Sequence, residues 1–304
     1  MITPEEAVER IVARFGVHAG MRPLHARGVI CSGSFRPSPE AAGLTRAAHL
    51  QDEVPVLARL SNGGGDPNVP DRAPDVRGLA VSFELGAGAR TDIVAQSAPR
   101  FPVRTPDAFI DLIEATERGP AMLWKLPLFL ARNPSALPAL RANAAALKAP
   151  ASYADVSYSA VHAFRWSDDD GESHWVRYIW TPSAGSAGTG AEERSERDYL
   201  SRELAERLPE RPVRFDLELQ VGGVGDDPHD PTSVWSGDGG RILAGSLQLD
   251  AVAEGHDGII FDPMRLTDGI EPSEDAILHF RPRAYAASYD RRTGVEHERP
   301  SWAR

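Results

Sequence analysis

Cysteine is almost absent from this chain of 304 residues: Cys31 stands alone, so no intrachain disulfide can form and nothing asks for an oxidising compartment. Cys31 is expected as a small buried hydrophobe. No apolar run approaches the ~20 residues needed to span a bilayer, and the opening MITPEEAVER has acids where a signal peptide carries bases. These absences predict a cytoplasmic protein. Positive charge is also in short supply, 33 Lys and Arg against 44 Asp and Glu, and the resulting net charge of −11 argues against a nucleic acid or an anionic membrane as partner. No internal repeat, low-complexity tract or boundary between two cores is visible, which predicts one domain over residues 1–304.

Helix signals lie near both ends of the chain and strand signals lie between them. Thr3, Pro4 and Glu6 form a capping box with proline in the first turn, predicting an amphipathic helix through Phe15 that ends at Gly16. Strands are expected at residues 29–31, 54–60, 79–85 and 213–221. Residues 157–166 and 174–181 read as a hairpin around the acidic turn 168–171. Thr105 caps a further helix. Residues 122–149 are helical in pattern, with breaks at Asn133-Pro134 and Leu137-Pro138. A Gly/Ser/Ala loop at 182–190 precedes a charged helix over 192–208. The glycines Gly63, Gly64 and Gly65 read as a loop and not as a phosphate cradle, since no Lys-Ser/Thr follows in P-loop spacing. Near the C-terminal end Ser273, with Glu274 and Asp275 behind it, predicts a helix start, and Pro282 predicts a kink or a restart at Arg281.

On that last helix Arg281 and Tyr285 are four residues apart and share a face. A guanidinium beside a phenol favours the ionised form, and a phenolate is a hard anionic ligand suited to ferric iron. His25, in the segment MRPLHARG at 21–28, has the side chain best suited to take up and return a proton near neutral pH. Taken singly, an Arg–Tyr pair at helical spacing or a lone histidine is more often structural than catalytic. Their neighbours decide the matter.

The stretch FDPMRLTDGIEPSEDAILHFRPRAYAASYDRRTG, residues 261–294, closely resembles the proximal haem segment of the haem catalases, and the R-x-x-H-A-x-G pattern of residues 22–28 resembles their distal segment. Matches continue in order between them: R-L-S at 59–61, D-V-R-G-L-A-V-S-F at 75–83, H-A-F-R at 162–165, D-P-T-S-V-W at 230–235 and R-I-L-A-G-S-L-Q-L at 241–249. The resemblance implies an α+β fold, a closed antiparallel β-barrel with surrounding helices and one haem b. It makes Tyr285 the iron ligand, supported by Arg281 and by a relay through His162 and Asp275. Asp275 also reads as plain helix N-terminal charge. It makes His25 the distal acid–base group with Ser61 against it, and Arg22, Arg59 and Arg292 partners of the haem propionates. Phe109 takes the place of an aromatic near the haem edge, and core packing is the equal alternative for it. Gln96 stands where the family has its distal Asn, one methylene longer.

The same resemblance implies a short form without the long N-terminal arm and C-terminal extension of full-size catalases. The expected activity is peroxidase: reduction of hydrogen peroxide or organic hydroperoxides with an organic donor, and weak dismutation. A hydroperoxide isomerase or lyase of the allene oxide synthase kind, and a non-catalytic haem-binding protein, are the alternatives. A homodimer is an expectation from the family alone.

Overall fold

The alternating apolar pattern of the strand segments is realised as a single antiparallel sheet that rolls up until its edges meet. A computed structural model of the chain describes residues 1–117, 119–183, 196–255 and 258–294. The strands are β1 (Gly28–Pro37), β2 (Val54–Asn62), β3 (Arg77–Glu84), β4 (Arg90–Gln96), β5 (Tyr158–Ser167), β6 (Ser173–Pro182), β7 (Val213–Val221) and β8 (Arg241–Val252). They pair in the order β4-β3-β2-β1-β8-β7-β6-β5, and the bridge Gln96–Ser159 joins β4 to β5 and closes the barrel. β1, β2 and β6 outrun their expected spans because ladder hydrogen bonds continue past the apolar run, β3 and β5 are offset from theirs by one or two residues, β7 matches its span, and β4 and β8 carry no expected span. A ninth short strand, β9 (Ile270–Pro272), adds to β5 and gave no signal in sequence, being three residues long and ending in proline.

Side chains on a strand point alternately to its two sides, so every β2 residue commits to one face. Val56, Ala58 and Leu60 enter the barrel core with Leu79, Val81 and Phe83 of β3. Leu57 goes to the other face and packs with Ile30, Ile259, Phe261, Ala80 and Val94. The lumen is filled by aromatic and aliphatic side chains, among them Phe35, Phe215 and Trp180, and Cys31 is fully buried with them as expected.

Helices cover the outside. α1 (Pro4–Phe15) has the expected reciprocal capping box between Thr3 and Glu6 and ends at Gly16. α2 (Pro39–Ala42) is a single turn, and α3 (Pro106–Ala115) is capped by Thr105. α4 (Met122–Arg132) and α5 (Ala136–Asn143) are separated at Asn133-Pro134 but not at Pro138, which falls in the first turn of α5 where no backbone donor is needed. α6 (Tyr199–Arg207) starts later than residue 192; residues 184–195, which include most of the expected loop, lie outside the described residues. α7 (Ala276–Thr293) is one uninterrupted helix with Pro282 buried inside it. Packing wins over propensity there, because α1 lies along α7, with Phe280 in a cluster with Ala7, Ile11 and Ile110 and Glu5 at 3.5 Å from Arg283.

The cap of α7 is Asp275, not Ser273. The Ser273 N–H instead bonds the Ala163 carbonyl at 3.2 Å and prolongs the β9–β5 ladder, so the chain is still extended at that point. Asp275 Oδ1 then accepts from Ile277 N at 2.8 Å and Leu278 N at 3.4 Å. Among the described residues no helix is long and apolar enough to cross a membrane.

His49 is buried in the barrel core, its ring 4.6 Å from that of Phe83 and 6.4 Å from that of Phe35. Burial pushes it down from the ordinary 6.5 to about 3. In that window the unfolded chain binds a proton which the folded chain refuses, so stability falls as pH drops below 6.5, by about 1.4 kcal/mol per pH unit for each such histidine. His49→Leu is expected to flatten the fall in unfolding free energy between roughly pH 6.5 and pH 5. Urea titrations across that range check this, and an unchanged slope would remove His49 as a source of acid lability.

Candidate functional site

Barrel register lays out the wall on which the site is built. Gly28, Ser61, Gly78 and Gln96 are paired in succession across β1 to β4, and Ile30, Arg59, Ala80 and Val94 form the neighbouring row. Residues two apart along a strand share a face, so both rows belong to the outer wall that carries Leu57. The wall thus offers apolar side chains beside one arginine, one serine, one glutamine and two positions with no side chain.

His25 reaches this wall from the segment before β1. Its Nδ1 lies 3.0 Å from Ser61 Oγ, which leaves Nε2 for other partners. The approach depends on Gly78, where a Cβ would stand 2.8 Å from both His25 Cε1 and Ser61 Oγ. His25 has φ of +54°, a left-handed conformation that a histidine adopts only when its surroundings impose it. Three hydrogen bonds do so: His25 N–H to the Gly63 carbonyl at 2.9 Å, Ala26 N–H to the Gly64 carbonyl at 3.1 Å, and Arg59 Nη2 to the His25 carbonyl at 2.9 Å. The glycine run therefore holds the histidine segment, and at Gly65 a Cβ would lie 2.0 Å from the Pro23 carbonyl. Burial, then the positive charges of Arg59, Arg281 and Arg22, hold His25 down at about 3, so the ring is neutral at neutral pH.

α7 supplies the facing groups. Arg281 Nε donates to the Tyr285 hydroxyl oxygen at 2.9 Å and Nη2 donates to the same atom, so that oxygen receives two hydrogen bonds from one guanidinium. At the start of α7, Asp275 Oδ2 lies 2.6 Å from His162 Nδ1, and both residues are fully buried. Asp275 thus does both things the sequence allowed: one oxygen caps the helix and the other holds the imidazole. Register slips between Ala160 and Phe164 on β5, and His162 sits within that irregularity. Burial, against the pull of Asp275, pushes His162 below its usual range and favours the neutral ring. With Nδ1–H given to Asp275, Nε2 is an acceptor, and it is buried with no hydrogen-bond partner. The expected chain from Tyr285 to Asp275 is accordingly two bonded pairs with a gap at His162 Nε2, across which the charge of Arg281 still acts on His162.

Arg22 Nη2 donates to the Ile259 carbonyl at 2.8 Å and Arg292 Nη2 to the same oxygen at 3.4 Å, so one backbone atom gathers two arginines from opposite ends of the chain. Arg292 also lies over the Tyr289 ring, 5.0 Å from its centroid. Gln96 is held differently: its Nε2 donates to the carbonyls of Ala98 and Arg100, both at 3.2 Å. Phe109 packs at 5.0 Å against Phe101, which lies 6.1 Å from the His162 ring. Phe109 belongs to the hydrophobic clusters under α1, α3 and α4 and reaches the histidine only through Phe101.

Three residues of the site escaped the sequence. Phe101 and the Ile259 carbonyl carry no pattern of their own. Arg177 is buried, lies 4.4 Å from the Trp235 ring centroid, donates to the Asp230 carbonyl at 2.8 Å, and its charge acts on His162. A buried arginine in the middle of an apolar strand was the one available signal, and the Asp230–Trp235 motif is what holds it.

Removing Asp275 takes away a helix cap and leaves a buried imidazole unpaired. Asp275→Ala is expected to cost about 2–4 kcal/mol of unfolding free energy, while Asp275→Asn, which still offers an acceptor, costs roughly half as much. Denaturant unfolding measures both, and a loss below about 1 kcal/mol for the alanine variant is incompatible with this dual role.

The chain as a whole is similar to known proteins. The family model for catalase matches residues 15–300. The chain is 41% identical over 302 residues to a catalase-related peroxidase of Mycolicibacterium paratuberculosis, covering 97% of this chain and 96% of that protein. It is 33% identical to a catalase-related peroxidase of Synechococcus elongatus, covering 96% of this chain and 89% of the relative. Among solved structures it superposes on a fungal catalase with a TM-score of 0.77 at 23% identity, and on catalase A from Saccharomyces cerevisiae with 0.76 at 23%. It spans 60% and 62% of the lengths of those two chains. With the family match running over most of its length and two relatives above 30% identity covered nearly end to end, the chain belongs to the catalase family.

Proposed function

We propose that this chain is a haem peroxidase that reduces hydrogen peroxide or organic hydroperoxides with a small organic donor and dismutates hydrogen peroxide only weakly. The observation that carries the reading is the paired donation of Arg281 to the Tyr285 oxygen. A phenol oxygen held by two hydrogen bonds from one guanidinium is fixed in place, and an oxygen of this kind suits ferric iron. The residues around it fit haem b. The wall of Ile30, Leu57, Ala80, Val94, Ile259 and Phe261 suits a flat apolar face, Gly78 leaves the space in which His25 lies, and Arg22, Arg59 and Arg292 suit two propionates. Haem b bound there, with Tyr285 as iron ligand, would supply the redox centre that accepts oxidising equivalents from peroxide.

The chain's own work is proton handling and orientation. Neutral His25 accepts the proton of the incoming peroxide and returns it to the departing oxygen; Ser61 on Nδ1 fixes the ring so that Nε2 does both. The reaction balances when the donor gives two electrons and two protons, yielding water and an alcohol or a second water. His162 is held by Asp275 as a neutral ring whose acceptor nitrogen, Nε2, is left toward the positive charge of Arg281. The weak dismutation follows from Gln96. Its amide nitrogen is committed to the Ala98 and Arg100 carbonyls, which leaves His25 as the principal group to orient a second peroxide. The same names on two close relatives support the peroxidase reading.

Reconstitution with haem b tests the ligand directly. The wild-type protein is expected to give a ferric Soret band with tyrosinate character and Tyr285→Phe to lose or shift it; an unaltered spectrum in the variant overturns the assignment. Gly78→Ala is expected to retain haem and lose roughly 10²-fold in peroxide turnover, because the added methyl displaces His25. His25→Ala separates the alternatives, since turnover that survives it unchanged marks a haem-binding protein without this chemistry.

A further inference from the structure

α4 is apolar on both faces. Its inner face, Leu126, Phe129 and Leu130, packs in the cluster that holds Phe101 and Phe109. The opposite face runs Leu123, Trp124, Pro127, Leu128 and Ala131, at helical spacing, and all five are exposed. Leu123 is 78% exposed and Trp124 60%. A surface helix needs one apolar stripe to hold it to the core, and a second stripe that includes tryptophan serves another partner.

Charge identifies that partner. Between Glu117 and Asp155 the sequence has no acid but carries Arg118, Lys125, Arg132, Arg141 and Lys148, in a chain whose net charge is −11. Arg132, Arg141 and Lys148 are exposed, as is Leu147 beside them. The acids of neighbouring α3 are already engaged, Asp107 with the Ile2 N–H and Asp111 and Glu114 with Arg10, and Glu117 just after it pairs with Lys125. A second copy docking here about a two-fold axis would set this basic segment against itself, which opposes self-association. Anionic lipid meets both requirements, with acyl chains for Leu123, Trp124 and Leu128 and phosphates for Arg132, Arg141 and Lys148. The negative charge of the whole chain does not exclude this, because it is placed elsewhere.

We propose that the outer face of α4, with the basic residues that follow it, seats the protein peripherally on an anionic lipid bilayer. The helix lies in the interface and does not cross it, and the site-flanking Phe101–Phe109 cluster is carried on its inner side. The surface is independent of the peroxidase reading, and its test needs no turnover. Full-length protein, with its cofactor as isolated, is sedimented with vesicles of phosphatidylcholine containing roughly a third phosphatidylglycerol, and with phosphatidylcholine alone. Expected are association with the anionic vesicles on the order of tenfold tighter than with the neutral ones, and weakening by salt. Trp124→Ser/Leu128→Ser is expected to lose at least about tenfold in binding with an unchanged melting temperature. Arg132→Glu/Arg141→Glu, at exposed positions that leave folding untouched, is expected to abolish the preference for anionic lipid. Absence of binding to either vesicle, variants that bind like the parent, or a solution dimer that the Trp124/Leu128 variant converts to monomer would each overturn the proposal.

Discussion

The Arg281 guanidinium donates twice to one phenol oxygen on its own helix, and its charge also acts on two histidines, one just before β1 and one on β5. Much of the architecture can be understood as what is needed to hold a single cation in that position. α7 must begin where it does, so β9 ties its N-terminal approach to β5 and Asp275 starts the helix at once. The helix must also pass through Pro282 without bending away, and α1 lies along it to ensure that.

The barrel contributes rigidity of a particular kind. Its inner face is an ordinary core, while two rows on its outer face form a shaped wall whose glycines matter as much as its side chains. His25 is held against that wall in a backbone conformation it would not choose, fixed by the Gly63 and Gly64 carbonyls and by Arg59. Strain maintained by several independent bonds is a sign of a position specified for chemistry and not for folding. Neutrality of the ring follows from the same placement, since burial first and then three guanidinium groups disfavour its charged form.

Much of this was legible in the sequence, and for identifiable reasons. The capping box at Thr3 and the alternating strands are local signals, and they fixed α1 and most of the barrel. The ordered motifs single out His25, Ser61, Arg59, Arg281 and Tyr285, and the structure holds them in two hydrogen-bonded groups. Failures occurred where tertiary contacts override local chemistry. Ser273 has every local feature of a cap, but its N–H belongs to the barrel ladder, and Asp275 takes the role. Pro282 should disrupt a helix and does not. The carbonyl of Ile259, which gathers Arg22 and Arg292, is a backbone atom that no side-chain pattern could announce.

The barrel is fastened between β4 and β5 by one rung, Gln96 with Ser159, whereas every other neighbouring pair among the eight strands shares a ladder several residues long. That single stitch coincides with the residue whose amide braces the turn through Ala98 and Arg100 and whose row also contains Ser61 and Gly78. Whatever occupies position 96 therefore answers to two masters, the seam of the cylinder and the outer wall on which Ser61 and Gly78 lie. A substitution made there for the sake of reactivity is at the same time a mechanical alteration of the weakest join in the molecule.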